Sequence, residues 1–275
     1  MDRFRLPTAL CVLTLLAVYP SVAESDFSER VRIATLNAGW YTNEYADTER
    51  GLDLGETGPF YGAYAQWVET GKFQANIFGY LAPDVNDARV AGLHANADAY
   101  FLGNALGSFA AGLDAERISV DMDSGDSIAG LENFEMRTDV TVAIARAGFR
   151  FAVAPSSRIR ATLFPYGGYA WERDSGTLTI NPAGPPAYTP EMRIDLDDAL
   201  LYPVWGVNFS VRAFYAIELT GKYLAQYRDE DLLGTATAQV NVFLPWSLVA
   251  SYQYKFMERS SGNDSYHLFG VGTAF

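Results

Sequence analysis

Two histidines and one cysteine limit the acid–base, nucleophilic and metal chemistry open to this chain of 275 residues. Cys11 lies in an apolar run near the start, and His94 and His267 stand far apart, so no metal-binding spacing of cysteine and histidine exists. Asp121, Asp123 and Asp126 are close enough to attract Ca²⁺ but lack the twelve-residue ligand pattern of a calcium loop. His94, Asn96 and Asp98 recur at every second position, which in a strand places them on one face, where an acid–base group is geometrically possible. The same row serves equally as a polar lining, and that is the reading adopted: no catalytic residue, no metal and no cofactor is predicted. The remaining chemistry is electrostatic. Arg117, Arg146, Arg150, Arg158, Arg160, Arg212, Lys222 and Lys255 fall at positions expected to face one interior, with Glu218 among them, while most acids sit in the connecting segments. Basic side chains gathered around a pore favour anions.

An interior requires elements that enclose it, and these are legible as period-two alternation. Ile217, Leu219, Gly221, Tyr223, Ala225 and Tyr227 oppose Glu218, Thr220, Lys222, Gln226 and Arg228. Leu248, Ala250, Tyr252, Tyr254 and Phe256 oppose Ser251, Gln253 and Lys255, and Ala91 to Phe101 oppose Gly92, His94, Asn96, Asp98 and Tyr100. The runs reach about ten residues, longer than the five or six usual in soluble sandwiches and suited to tilted strands crossing a bilayer. Aromatic residues gather near their ends, as interfacial girdles do.

The compartment follows from the first residues. Arg3 and Arg5, an apolar stretch from Leu6 to Val18 and the small residues Ser21-Val22-Ala23 form a secretory signal peptide, so residues 1–23 are expected to be removed and 24–275 to form one domain. Cys11 leaves with the signal, and no disulfide is then possible. The whole-chain charge of −13 becomes about −14, since the signal carries a net +1, which makes nucleic acid an improbable partner. Beyond Ala23 no apolar run is long enough for a spanning helix, leaving closed strands as the way through a membrane.

The expected fold is all-β: a transmembrane, antiparallel, up-and-down barrel of about twelve strands. The upstream candidates are 31–41, 60–69, 73–82, 89–102, 116–122 and 136–153, and ten strands remain if the first or fifth fails. Residues 103–114 read as a turn, a helical piece or another register. Residues 173–196, rich in proline and glycine, read as a long outer loop. Short links at 70–72, 154–157, 213–214 and 245–246 alternate with longer ones, and an even strand count places both termini on the periplasmic side.

The end of the chain, from Tyr266 to Phe275, resembles the C-terminal assembly signal of bacterial outer-membrane barrels. Tyr266, Phe269, Val271 and Phe275 carry the likeness, while Thr273 and His267 occupy outward positions that are usually more apolar. The resemblance implies an outer-membrane location, contact with lipid and lipopolysaccharide, and recognition by the barrel-assembly machinery through the last strand. Autotransporter barrels share the strand number and the glycine-aromatic texture, although no passenger segment is read ahead of these strands. Outer-membrane phospholipases carry His-x-Ser, whereas Asn96 and Phe269 stand two residues after the histidines here. The functional expectation is a small-solute channel with a modest anion preference, carried by Arg146, Arg150, Arg158, Arg160, Arg212, Glu218, Lys222 and Lys255. The alternatives are a non-conducting barrel with interacting outer loops and, less favoured, a lipid-modifying enzyme.

Overall fold

The structure, a computed structural model, describes residues 30–47, 52–69, 71–85, 88–104, 106–124, 134–156, 158–180, 192–214, 216–228, 231–259 and 262–275. The predicted signal peptide lies outside them. Twelve strands appear in chain order: β1 (Arg30–Asp47), β2 (Leu52–Glu69), β3 (Phe73–Val85), β4 (Ala88–Asn104), β5 (Gly107–Ser124), β6 (Phe134–Ser156), β7 (Ile159–Ile180), β8 (Met192–Ala213), β9 (Ile217–Arg228), β10 (Asp231–Phe243), β11 (Leu248–Arg259) and β12 (Gly262–Ala274). Each pairs antiparallel with its sequence neighbours, and β1 pairs with β12 to close the barrel. Closure leaves no strand edge to be satisfied by lipid.

One end of the barrel carries the tight turns. In the β2–β3 turn Gly71 has φ of 77°, a conformation that costs glycine nothing, and Lys72 donates its amide to the carbonyl of Glu69 at 3.0 Å. A single helical turn, Pro245–Ser247, joins β10 to β11. The closing seam reaches the same end, where the amide of Phe275 donates to the carbonyl of Arg32 at 3.0 Å. Further up the seam the strands approach so closely that a Cβ on Gly39 would lie 1.7 Å from the carbonyl oxygen of His267.

Two expectations are corrected here. Residues 107–114 belong to β5, in register with β4 and β6, so the fifth strand is far longer than 116–122. Ladder pairing between β7 and β8 continues to Ile180↔Met192, so most of 173–196 is strand. Alternating pairs on two long neighbours outweigh the local turn signals there, and the ladder satisfies the backbone that a loop would leave to water. β6, β7 and β8 have 23, 22 and 22 residues. At about 3.3 Å per residue they project well past an apolar band about 25 Å tall.

The outer wall is apolar. Leu36, Leu113, Leu201 and Val271 are 66–74% exposed, and Trp67, Tyr169, Trp171, Tyr223 and Phe269 also face outward. So continuous an exposed apolar belt suits lipid, not water. The inward face is mixed: polar and charged rows are interrupted by clusters of Tyr41, Phe60, Phe78, Tyr266 and Leu268, and of Ile144, Phe164, Tyr166, Tyr202 and Leu224.

Candidate functional site: a charged layer across the lumen

Period-two geometry aims His94, Asp98, Asp114, Glu116, Arg146, Lys222 and Lys255 inward from β4, β5, β6, β9 and β11, and barrel closure brings them to one level. Arg146 is at its centre with a fully buried side chain. Its Nη2 donates to Asp98 Oδ1 at 2.8 Å and its Nη1 to Asp114 Oδ2 at 2.7 Å. Asp114 also takes contacts from Lys222 Nζ and from a ring nitrogen of His94. Lys255 Nζ donates to Glu116 Oε1 at 3.2 Å, and Tyr80 Oη to the same atom at 3.0 Å. β5 and β11 lie half-way round the ring from each other, so the Lys255–Glu116 pair spans the lumen. Burying so many charges is tolerable only because each meets an opposite charge and further hydrogen bonds.

The layer stands between two spaces that share His94, Lys222, Phe78, Thr237 and Tyr266 in their walls. Toward the long hairpins the vestibule measures about 500 Å³. Its wall combines Ile118, Val140, Val142 and Leu224 with a second charged group, in which Arg228 Nη1 donates to Glu172 Oε1 at 2.5 Å and Tyr202 Oη to Glu172 Oε2 at 2.7 Å. Toward the tight turns the cavity measures about 140 Å³ and is lined mainly by uncharged amides, hydroxyls and aromatic rings.

The residues expected to line the lumen separate into three groups. Arg146, Lys222 and Lys255 meet in the layer, each against a carboxylate. Arg150 stacks over the Tyr100 ring at 4.4 Å in the smaller cavity. Arg212 lies 5.0 Å over the Phe243 ring, and Glu218, 6% exposed, accepts from Asn241 Nδ2 at 3.0 Å. Arg160 pairs in register with Arg212.

Arg158 is a correction. It sits exposed in the β6–β7 turn, where strand alternation no longer assigns a face. Arg117 is another: it points outward, 65% exposed, and pairs with Asp139 at 3.2 Å. Arg146, expected to present its charge to the pore, is instead enclosed by Asp98 and Asp114. At the last strand Phe269, Val271 and Phe275 face outward, but Tyr266 points inward, packing against Phe60 at 4.9 Å between ring centres. Its position has the parity of Leu268, not of Phe269.

Asp114 and Glu116, the layer's key acids, were not anticipated. A signal existed: Asp114, Glu116, Ile118 and Val120 recur at every second position. Assigning Arg117 to the interior turned that face outward, since one residue of parity inverts a whole strand.

No protein-family model matches the sequence, and no curated protein matches it either. Among solved structures, the translocator domain of autotransporter NalP from Neisseria meningitidis aligns with a TM-score of 0.53 and 11% identity, over 97% of this chain and 93% of that one. The beta domain of the Bordetella autotransporter BrkA gives 0.47 and 14%, over 90% and 99%. The Pseudomonas putida toluene transporter TodX gives 0.41 and 7%, over 89% and 88%. With identities this low the likeness is one of fold: the chain is a closed, twelve-stranded barrel, the fold it shares with the NalP translocator domain.

Proposed function

We propose that this barrel is an outer-membrane passage for small solutes, shut at rest by the charged layer and opened when the layer rearranges. The observation that carries the reading is the Lys255–Glu116 pair, which joins opposite walls of the barrel beside a fully buried Arg146. The tight-turn end, where Arg30 and Phe275 also lie, is taken as periplasmic, and the projecting hairpins as the outer face. Outward aromatic residues such as Trp67, Trp171 and Trp205 then form girdles at the two interfaces. Phe269, Val271 and Phe275 present the outward row that the assembly machinery reads. Acidic groups on the hairpins approach lipopolysaccharide through divalent cations.

A modest anion preference belongs, in this reading, to the open state and to the tight-turn half. There Arg150, Arg160 and Arg212 outnumber the inward carboxylates Asp98 and Glu218 among the described residues. The burial of the layer's ion pairs also favours a second reading, a permanently sealed structural barrel, and one experiment separates the two. Single-channel recording on refolded protein should show a wild type that is mostly closed with brief openings, and the double variant Glu116→Gln, Lys255→Met should open far more often. A double variant as silent as the wild type would establish the sealed barrel, and a steadily open wild type would remove the layer's role as a closure.

A further inference from the structure

The smaller cavity is lined by amide side chains from four strands. Gln66 on β2, Asn96 on β4, Asn208 on β8 and Gln253 on β11 all line it. Each carries one buried amide atom with no hydrogen-bond partner within the protein: Gln66 Oε1, Asn96 Oδ1, Asn208 Oδ1 and Gln253 Nε2. Gln66 and Gln253 are only 5% and 6% exposed. A buried amide atom left unpaired costs free energy, so four of them around about 140 Å³ need partners that the wall does not supply. They come from strands spread around the ring, β2 and β8 from opposite sides, so they converge on the space rather than on each other.

We infer that this cavity is a binding site for a small, neutral polyhydroxylated solute of about monosaccharide size. An amide can turn end for end, so each of the four offers a donor or an acceptor, and a hydroxyl group satisfies either. A compact polyol is the class of molecule that brings several hydroxyls into one small volume. Tyr64 also lines the cavity and supplies apolar ring surface for the C–H face of such a solute. The cations in the wall are already engaged, Arg150 over the Tyr100 ring and Lys222 on Asp114, which leaves amides rather than charges to recognise the solute, and an apolar molecule would leave all four amides unpaired. The inference concerns the occupant of this cavity and not the ions that cross the open barrel, and it rests on the passage reading only in placing the cavity on the solute's route.

Binding can be measured without conduction, so the two proposals fail separately. Saturation-transfer NMR on the mature barrel in detergent micelles compares myo-inositol with cyclohexanol, which has the same ring and a single hydroxyl. Inositol should bind at least about tenfold more tightly, the equivalent of one or two net hydrogen bonds. Gln66→Leu and Asn208→Leu, each checked for a heat-modifiable folded band, should each weaken inositol binding about fivefold and leave cyclohexanol unchanged. Equal binding of the two compounds, or no transfer to inositol at any concentration it reaches in solution, overturns the proposal and leaves the amides to water. A barrel that binds inositol but never conducts keeps this site and removes the passage.

Discussion

The two halves of the lumen are built by the same alternation, yet they meet the cost of burying polar groups differently. At mid-height, charges from β4, β5, β6, β9 and β11 neutralise one another across the barrel, with Arg146 held between Asp98 and Asp114. Toward the tight turns, amides point into a cavity and several keep an atom unpaired. The first arrangement is internally complete and should be rigid. The second is complete only when water or a solute occupies it. An inward polar row is therefore not one kind of surface: whether it closes a barrel or lines a site depends on what stands opposite.

The sharpest way to break this contrast is Asp114→Leu. It takes the carboxylate from Lys222 and His94 and leaves Arg146 with Asp98, and removing one partner of a buried charge network costs about 3–5 kcal/mol. The folded band should convert to the unfolded band at a clearly lower temperature in SDS gels. Asn208→Leu, in the other half, removes an amide with an unpaired atom and should change stability by about 1 kcal/mol or less in either direction, leaving that temperature little altered. Equal losses from both variants would erase the distinction between the halves.

A smaller effect is expected where a pair is partly open to solvent. Arg228→Met leaves Glu172 with Tyr202 as its remaining hydrogen-bond donor and should cost about 1–3 kcal/mol, with a wider vestibule visible as faster access of a thiol reagent to a cysteine placed at Thr235. On the outer wall, Phe275→Ser should cost in-vitro stability only about 1 kcal/mol, the partial loss of one ring's contact with lipid or detergent, since the ring faces out of the barrel and the amide that bonds Arg32 is retained. Outer-membrane abundance should nevertheless fall, and unchanged abundance would make Phe275 one more lipid-facing aromatic. The smallest effect is Arg117→Ala. That pair with Asp139 is exposed and worth less than about 0.5 kcal/mol, so a larger loss would show that outward charges are coupled to the layer.

The alternation of β4, β9, β11 and β12 was legible residue by residue, because a strand's two faces differ in solvent and the side-chain period is two. That pattern, together with the length of the runs and the aromatic residues at their ends, pointed to the barrel class and to about twelve strands with ten left open, and it placed Phe269, Val271 and Phe275 in one outward row. It also picked out Arg146, Lys222 and Lys255 as inward. The length of β5 and of the β7–β8 hairpin was not legible, since pairing with neighbours overrides local turn propensity there.

What only the tertiary structure decided is which inward charges are neutralised. Lys255 and Glu116 are 139 residues apart in sequence, and Lys222 and Asp114 are 108 apart. They meet because twelve strands close into a ring and the register of every ladder adds to the next. Each strand's pattern states which side chains face inward, but their height and their partner across the lumen are properties of the whole ring. The strands separately specified a wall, and closure turned its charges into a paired layer that crosses the lumen.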